Sequence, residues 1–157
     1  MQLHQLLTRN RIDCAVSAGS KKRLLELLAN LLHEDAPKVD SQAAFQSLID
    51  RERLGSTGVG NGVALPHGRL KGISRAFGAF AILDEAMDFE SVDNQPVKLV
   101  FALLVPEEAT EEHLQLLAQL ARLFSDKENR EHLLHAKTSD DVYNFLRTVD
   151  SRYQQAS

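Results

Sequence analysis

"VKLVFALLV", residues Val97–Val105, decides the fold. Apart from Lys98 every residue in it is apolar. A strand that is apolar without alternation is covered on both faces, which is the mark of a central strand in a layered α/β sheet. Pro106 closes it. Working back toward the N-terminus, "AFGAFAIL" (Ala76 to Leu83) and the short apolar segment Val63 to Leu65 read as two more strands, and in "RIDCAV" the residues Ile12, Cys14 and Val16 alternate as in a half-buried strand. Between these runs lie helical patterns. Ser20 is suited to cap "KKRLLELLANLLHED", where Leu24, Leu27, Leu28, Leu31 and Leu32 recur at helical spacing. After the break at Pro37, a second helix runs from about Ser41 through "QAAFQSLIDRERL", with Ala44, Phe45, Leu48 and Ile49 as its stripe and Arg51 at the edge of that stripe. Beyond Pro106 three helical stretches follow: Thr110 to Phe124, roughly Glu128 to Lys137, and Ser139 to about Arg152. Strands interleaved with helices and then followed by helices predict an α/β fold, a sheet covered by helices on both faces.

At 157 residues the chain is expected to form one domain, 1–157, with its core at about 3–150. No repeat, low-complexity tract or linker divides it. A composition of 43% hydrophobic and 25% charged residues is that of a globular protein. The net charge of −4 and a pI near 5.8 argue against a nucleic-acid surface, and the only basic run, Lys21 to Arg23, reads as a solvated helix face. No apolar run approaches the roughly 20 residues that span a bilayer, so membrane insertion is not expected. "MQLHQLLTRNR" lacks the features of an export signal, and a cytoplasmic location is expected. The single cysteine, Cys14, cannot form an internal disulfide and reads as a buried structural thiol.

The chemistry lies in "GSTGVGNGVALPHGR", residues Gly55 to Arg69, which holds five of the eight glycines. Pro66 lets Leu65 finish a strand while preventing regular pairing from continuing, so His67 falls at a strand end. Gly68 then frees the backbone to turn away and leaves the imidazole projecting from the sheet, beyond which α/β folds bind ligands. The same residue also fits a hydrogen-bonded turn histidine. In the preceding loop Gly55, Ser56, Thr57, Gly58, Gly60, Asn61 and Gly62 allow backbone amides to converge on an anion, a phosphate above all; the plain alternative is a flexible turn. The loop has neither the Gly-Lys-Ser/Thr of a P-loop nor the G-x-G-x-x-G of a dinucleotide site, so ATP and NAD have little support.

A second histidine, His113, lies in "TEEHLQLLAQLARLF". If Thr110 caps this helix, His113 is in its first turn, on the face of Leu117, Leu120 and Phe124. If the strands before the two histidines are parallel, both side chains reach one crevice. The alternative is a core-edge histidine bonded to a carbonyl. Together these residues suggest phosphoryl transfer through a histidine. Neutral imidazole, with a reference pKa of about 6.5, is a competent nucleophile near pH 7, and positive groups such as Arg51 and a second imidazole would balance the charge of the transferring group. With a phosphohistidine donor this needs no metal and no cofactor. His132 and His135 share the i, i+3 spacing of metal ligands, but no further ligands at a recognisable spacing accompany them, and they read as surface histidines.

"DRERLGSTGVGNGVALPHGR" resembles the mannitol- and fructose-type IIA family of the bacterial phosphoenolpyruvate-dependent phosphotransferase system. "DNQPVKLVFALLVPEEATEEHLQLLAQLARLF" narrows the resemblance to the family's nitrogen-regulatory branch, and it extends over nearly the whole chain. The resemblance implies a single layered domain with a mixed β-sheet flanked by helices. It also implies that His67 is phosphorylated on Nε2, that His113 is the second active-site histidine and that Arg51 is the arginine of the family's Arg-Glu motif. The implied donor is a small, HPr-like phosphocarrier protein of the nitrogen branch, itself carrying phosphohistidine. The implied targets are regulatory proteins such as potassium transporters or sensor kinases. A sugar-transport IIA component and a phosphate-independent binding module are the alternative readings.

Overall fold

The computed structural model describes residues 2–156. Six strands form one mixed sheet: β1 (Ile12–Val16), β2 (Gly58–Gly60), β3 (Val63–Ala64), β4 (His67–Leu70), β5 (Phe77–Met87) and β6 (Val97–Pro106). The order is β1-β5-β6-β3-β2, with β4 also beside β6. β1 runs parallel to β5, β5 antiparallel to β6, β3 and β4 parallel to β6, and β2 antiparallel to β3. The apolar run that opened the sequence reading is thus the centre of the sheet, flanked by neighbours on both edges.

Its two faces feed two layers, as period-2 geometry requires. Leu99, Phe101, Leu103 and Val105 pack with α3 (Thr110–Ser125), α4 (Lys127–Leu134), α5 (Ser139–Ala156) and the N-terminal 3-10 turn Leu3–Leu6. Val100, Ala102 and Leu104 pack with α1 (Lys21–His33) and α2 (Ser41–Leu54), joined out of alternation by Val97, beyond a register shift between β5 and β6. Phe80, Phe101 and Phe124 cluster with ring centroids 6.2–6.5 Å apart on the first side. Each such buried ring contributes about 1.5–3 kcal/mol relative to exposure. Among the described residues no helix is long and apolar enough to cross a membrane.

The helix starts follow their caps. Ser20 Oγ accepts from the Arg23 amide at 3.1 Å, and Asp40 Oδ2 from the Ala43 amide at 2.9 Å. The buried face of α1 is rotated from the expected stripe: Leu25 and Ala29 are buried, whereas Leu27 and Leu31 are half-buried. Lys21 is not part of a solvated face, because its ammonium pairs with the buried Glu52 carboxylate at 2.9 Å. In β1 a register shift between Asp13 and Val16 reverses the alternation. Ile12 and Cys14 therefore face the α5 side and Val16 the α1 side, and Cys14 is half-buried, not buried. Partial burial raises the thiol's pKa.

Three expectations around His67 change. First, the chain does not leave the sheet there: after the gap at Leu65 and Pro66 it resumes pairing with β6 as β4, His67 opposite Leu103, and the Pro66 carbonyl accepts from the Leu103 amide at 2.9 Å. Proline lacks a donor but keeps an acceptor, so it interrupts the ladder without ending it. Second, Gly68 is needed for close approach and not for turning. A Cβ there would lie 2.1 Å from Ser47 Oγ and 3.1 Å from the Ser47 carbonyl oxygen, so only glycine admits α2 this close to β4. Third, the glycine-rich loop is a β-hairpin. Asn61 (φ 59°) and Gly62 (φ 78°) link β2 to β3 as the two left-handed residues of a type I′ turn.

Candidate active site

Three elements bring the candidate residues near one another: the C-terminal turn of α2 carries Arg51, whose charge acts on both rings, the start of β4 carries His67, and the first turn of α3 carries His113. The condition set by the sequence is met, since β3 and β4 both run parallel to β6 and α3 begins four residues after β6 ends. The imidazoles of His67 and His113 meet edge to face, with centroids 5.2 Å apart and planes at 74°.

His67 is half-buried, and its Nδ1 lies 2.7 Å from the Leu65 carbonyl oxygen. A carbonyl only accepts, so Nδ1 carries the proton and Nε2 keeps its lone pair. Burial holds the His67 pKa below the usual imidazole value; the Leu65 bond opposes this, the Arg51 charge adds to it and the Glu52 charge opposes it. His113 is 8% exposed, and its Nε2 is buried without a hydrogen-bond partner. Its pKa is also lowered, first by burial, then by His67, Arg69 and Arg51. Both shifts favour the neutral form of the ring. The N-cap of α3 is Ala109 and not Thr110, which is the first helical residue and gives no side-chain cap. His113 still stands in the first turn, where exposed helix amides favour an anion. Arg51 reaches to the C-cap of α2, its Nη1 donating to the Gly55 carbonyl at 2.8 Å.

Four amides of the glycine loop are already taken up inside the protein. The Thr57 amide donates to Glu52 Oε2 at 2.9 Å, the Gly58 amide to Ser56 Oγ at 3.0 Å and the Asn61 amide to Asp93 Oδ2 at 2.9 Å. The Gly55 amide closes the end of α2 on Glu52. Ser56 Oγ also donates to the Phe89 carbonyl. Gly60 faces Asp93, and Gly62 gives its carbonyl to the amides of Lys98 and Leu99. An amide already bonded inside the protein has no proton to offer a phosphate. The loop fixes His67 from behind instead. His132 and His135 lie apart from the crevice: the first stacks on Phe145 at 4.0 Å, and Nδ1 of the second bonds the Glu131 carbonyl at 2.7 Å.

No role was legible in the sequence for Glu52, Arg69 or the segment Phe89 to Asp93 that fastens the hairpin, and Lys21 read as part of a solvated helix face. Glu52 had a signal: it continues the buried stripe Ala44, Leu48 at i+4, where a carboxylate must find partners. Arg69 shares a strand face with His67, two residues along β4.

The family described as "Phosphoenolpyruvate-dependent sugar phosphotransferase system, EIIA 2" matches residues 5–149. The chain belongs to this family. It is 45% identical over 151 residues to a nitrogen regulatory protein of Pseudomonas aeruginosa, covering 96% of this chain and 98% of that one. Its fold superposes on the nitrogen regulatory protein IIA-Ntr of Neisseria meningitidis with a TM-score of 0.85 and 43% identity, covering 92% of this chain and 98% of that one. The mannitol IIA of Escherichia coli shares the fold, with a TM-score of 0.75 at 24% identity over 89% of this EIIA chain and 98% of that one. EIIA domains are phosphotransfer proteins, the role that paired neutral imidazoles at the edge of a sheet can serve.

Proposed function

We propose that this EIIA-family protein accepts a phosphoryl group on Nε2 of His67 from a small histidine-phosphorylated phosphocarrier protein, and that its phosphorylation state regulates partner proteins in the cytoplasm. The observation that carries this is the Nδ1 bond to Leu65, which presents Nε2 as a lone pair beside the unpartnered Nε2 of His113. The Nε2 lone pair forms a bond to phosphorus as the phosphorus–nitrogen bond of the donor breaks, and that electron pair returns to the donor ring. His67 becomes a phosphoimidazolium that keeps its Nδ1 proton on the Leu65 carbonyl, while the donor ring, protonated on its other nitrogen, leaves as neutral imidazole. No proton need move. In this reading Arg51 and His113 balance the charge on the transferring group.

Regulation follows from charge. Phosphorylation adds about two negative charges at neutral pH. The nitrogen regulatory relatives support a regulatory output; potassium transporters or sensor kinases are proposed as its targets. Incubation with a phosphorylated carrier is expected to add one phosphoryl group by intact mass, lost in His67→Ala; stoichiometric labelling of that variant would overturn the site. Quantitative capture of partners by phosphorylated and unphosphorylated protein tests the output, and identical partner sets would remove it.

A further inference from the structure

Glu52 is a buried carboxylate, 7% exposed, next to Arg51 in the last turn of α2. Burying a carboxylate is costly unless both oxygens are satisfied. Here both are. Oε1 accepts the Thr57 hydroxyl at 2.5 Å, and Oε2 accepts the Thr57 amide at 2.9 Å and the Lys21 ammonium at 2.9 Å. Lys21 in turn stands 4.4 Å over the Phe89 ring and 3.6 Å from Glu90. The structural consequence runs onward from Thr57. Its carbonyl accepts the Leu65 amide at 3.0 Å, and the Leu65 carbonyl holds His67 Nδ1 at 2.7 Å. A continuous series of hydrogen-bonded contacts thus joins the Glu52 carboxylate to the imidazole, crossing the hairpin through Thr57 and Leu65. The same turn fixes Arg51, because the Gly55 that takes its guanidinium bond is tied to the Glu52 carbonyl at 3.2 Å.

The geometry points to Glu52 as a positioning residue for the phosphoryl-accepting imidazole: clamped by Lys21, it anchors Thr57 and through Leu65 fixes the tautomer and direction of the His67 ring. This rests on the assignment of His67 above. A purely structural carboxylate would stabilise the loop without affecting which ring nitrogen is protonated. Small displacements of a reacting group cost rate steeply, on the order of 100-fold for about 1 Å. Glu52→Gln places an amide N–H₂ against the donors on Thr57 or Lys21 and breaks the anchor at its origin. Thr57→Val keeps the charge and the amide bond but removes the hydroxyl bond.

The test combines stopped-flow phosphoryl transfer from a phosphorylated carrier with nitrogen NMR of the His67 ring, melting curves confirming the fold. For Glu52→Gln the transfer rate at saturating carrier is expected to fall about 10- to 100-fold. Half-saturation is expected to hold within about twofold, because a ring misplaced at the site leaves docking unchanged. The ring nitrogens should shift from a single tautomer toward a mixture. Thr57→Val should show a smaller loss of the same kind, and the double variant should be no worse than Glu52→Gln, as coupled positions behave. A folded Glu52→Gln with a wild-type rate and a single tautomer overturns the inference, as does a loss confined to half-saturation. If Glu52→Gln does not fold, Thr57→Val decides by the same two readouts. If the wild-type protein accepts no phosphoryl group, the assignment of His67 fails, while the tautomer measurement still decides the role of Glu52.

Discussion

Replacing His113 by leucine is expected to make the folded protein more stable and the phosphoryl acceptor slower. The ring is 8% exposed and its Nε2 has no partner. Leaving a polar atom buried and unpaired costs about 1–3 kcal/mol. Against the removal of that penalty stands the edge-to-face contact with His67, with centroids at 5.2 Å, whose loss costs about 0.5–1 kcal/mol. The net expectation is a gain of about 1 kcal/mol, which for a chain of this size raises Tm by about 2–4 °C. The gain should also grow as pH falls. The folded pKa of His113 is lowered by burial and by neighbouring cationic groups, so below about 6.5 the unfolded wild-type chain binds more protons there than the folded one. The corresponding stability is fully present above about 6.5 and is lost as pH drops through the folded pKa. Leucine has nothing to titrate, so this loss disappears. Chemical denaturation of both proteins at pH 8 and pH 5.5, with phosphoryl transfer measured in parallel, gives the comparison. If His113 acts as one preorganised donor to the transferring group, transfer should slow on the order of 100-fold or more. A variant no more stable than wild type at pH 8, or one that transfers at the wild-type rate, refutes the reasoning.

Gly68→Ala is expected to lower stability by about 1–3 kcal/mol, because the new methyl meets Ser47 Oγ at 2.1 Å and the Ser47 carbonyl at 3.1 Å, and α2 must lift from β4; an unchanged urea midpoint would show that the contact yields freely. If His67 is the phosphoryl acceptor, the acid limb of the transfer is expected below the ordinary imidazole value of about 6.5, since burial first of all lowers the pKa of both His67 and His113 and a neutral ring is the nucleophile. Titration of both rings by NMR checks it, and midpoints at or above 6.5 count against the desolvated site.

Much of this was legible in the order of residues. The apolar run Val97 to Val105 declared a doubly covered strand, and β6 occupies the middle of the sheet with helices on both faces. Glycine, proline and histidine at Gly55 to Gly68 singled out the segment that carries His67, although the chain there forms a hairpin and a resumed strand and does not leave the sheet. The reason each glycine is present was not legible. Gly62 serves a left-handed turn, Gly68 a close approach of α2, and both look alike in sequence. An Asn-Gly pair between short strands signals a hairpin, but β2 spans only Gly58 to Gly60, two of them glycines, and carries no pattern of its own.

The sequence by itself determined which segments become strands and helices and which side chains are able to carry a phosphoryl group, because hydrophobic period and side-chain chemistry are properties of local order. Only the tertiary structure decided that the amides of Gly55, Thr57, Gly58 and Asn61 bond inward, that Nε2 of His67 and not Nδ1 keeps the lone pair, and that Glu52 reaches the imidazole through Thr57 and Leu65. Hydrogen-bond partners distant in the chain are chosen by packing, and packing α2, β4 and α3 against one sheet is what brings residues 51, 67 and 113 to the same edge.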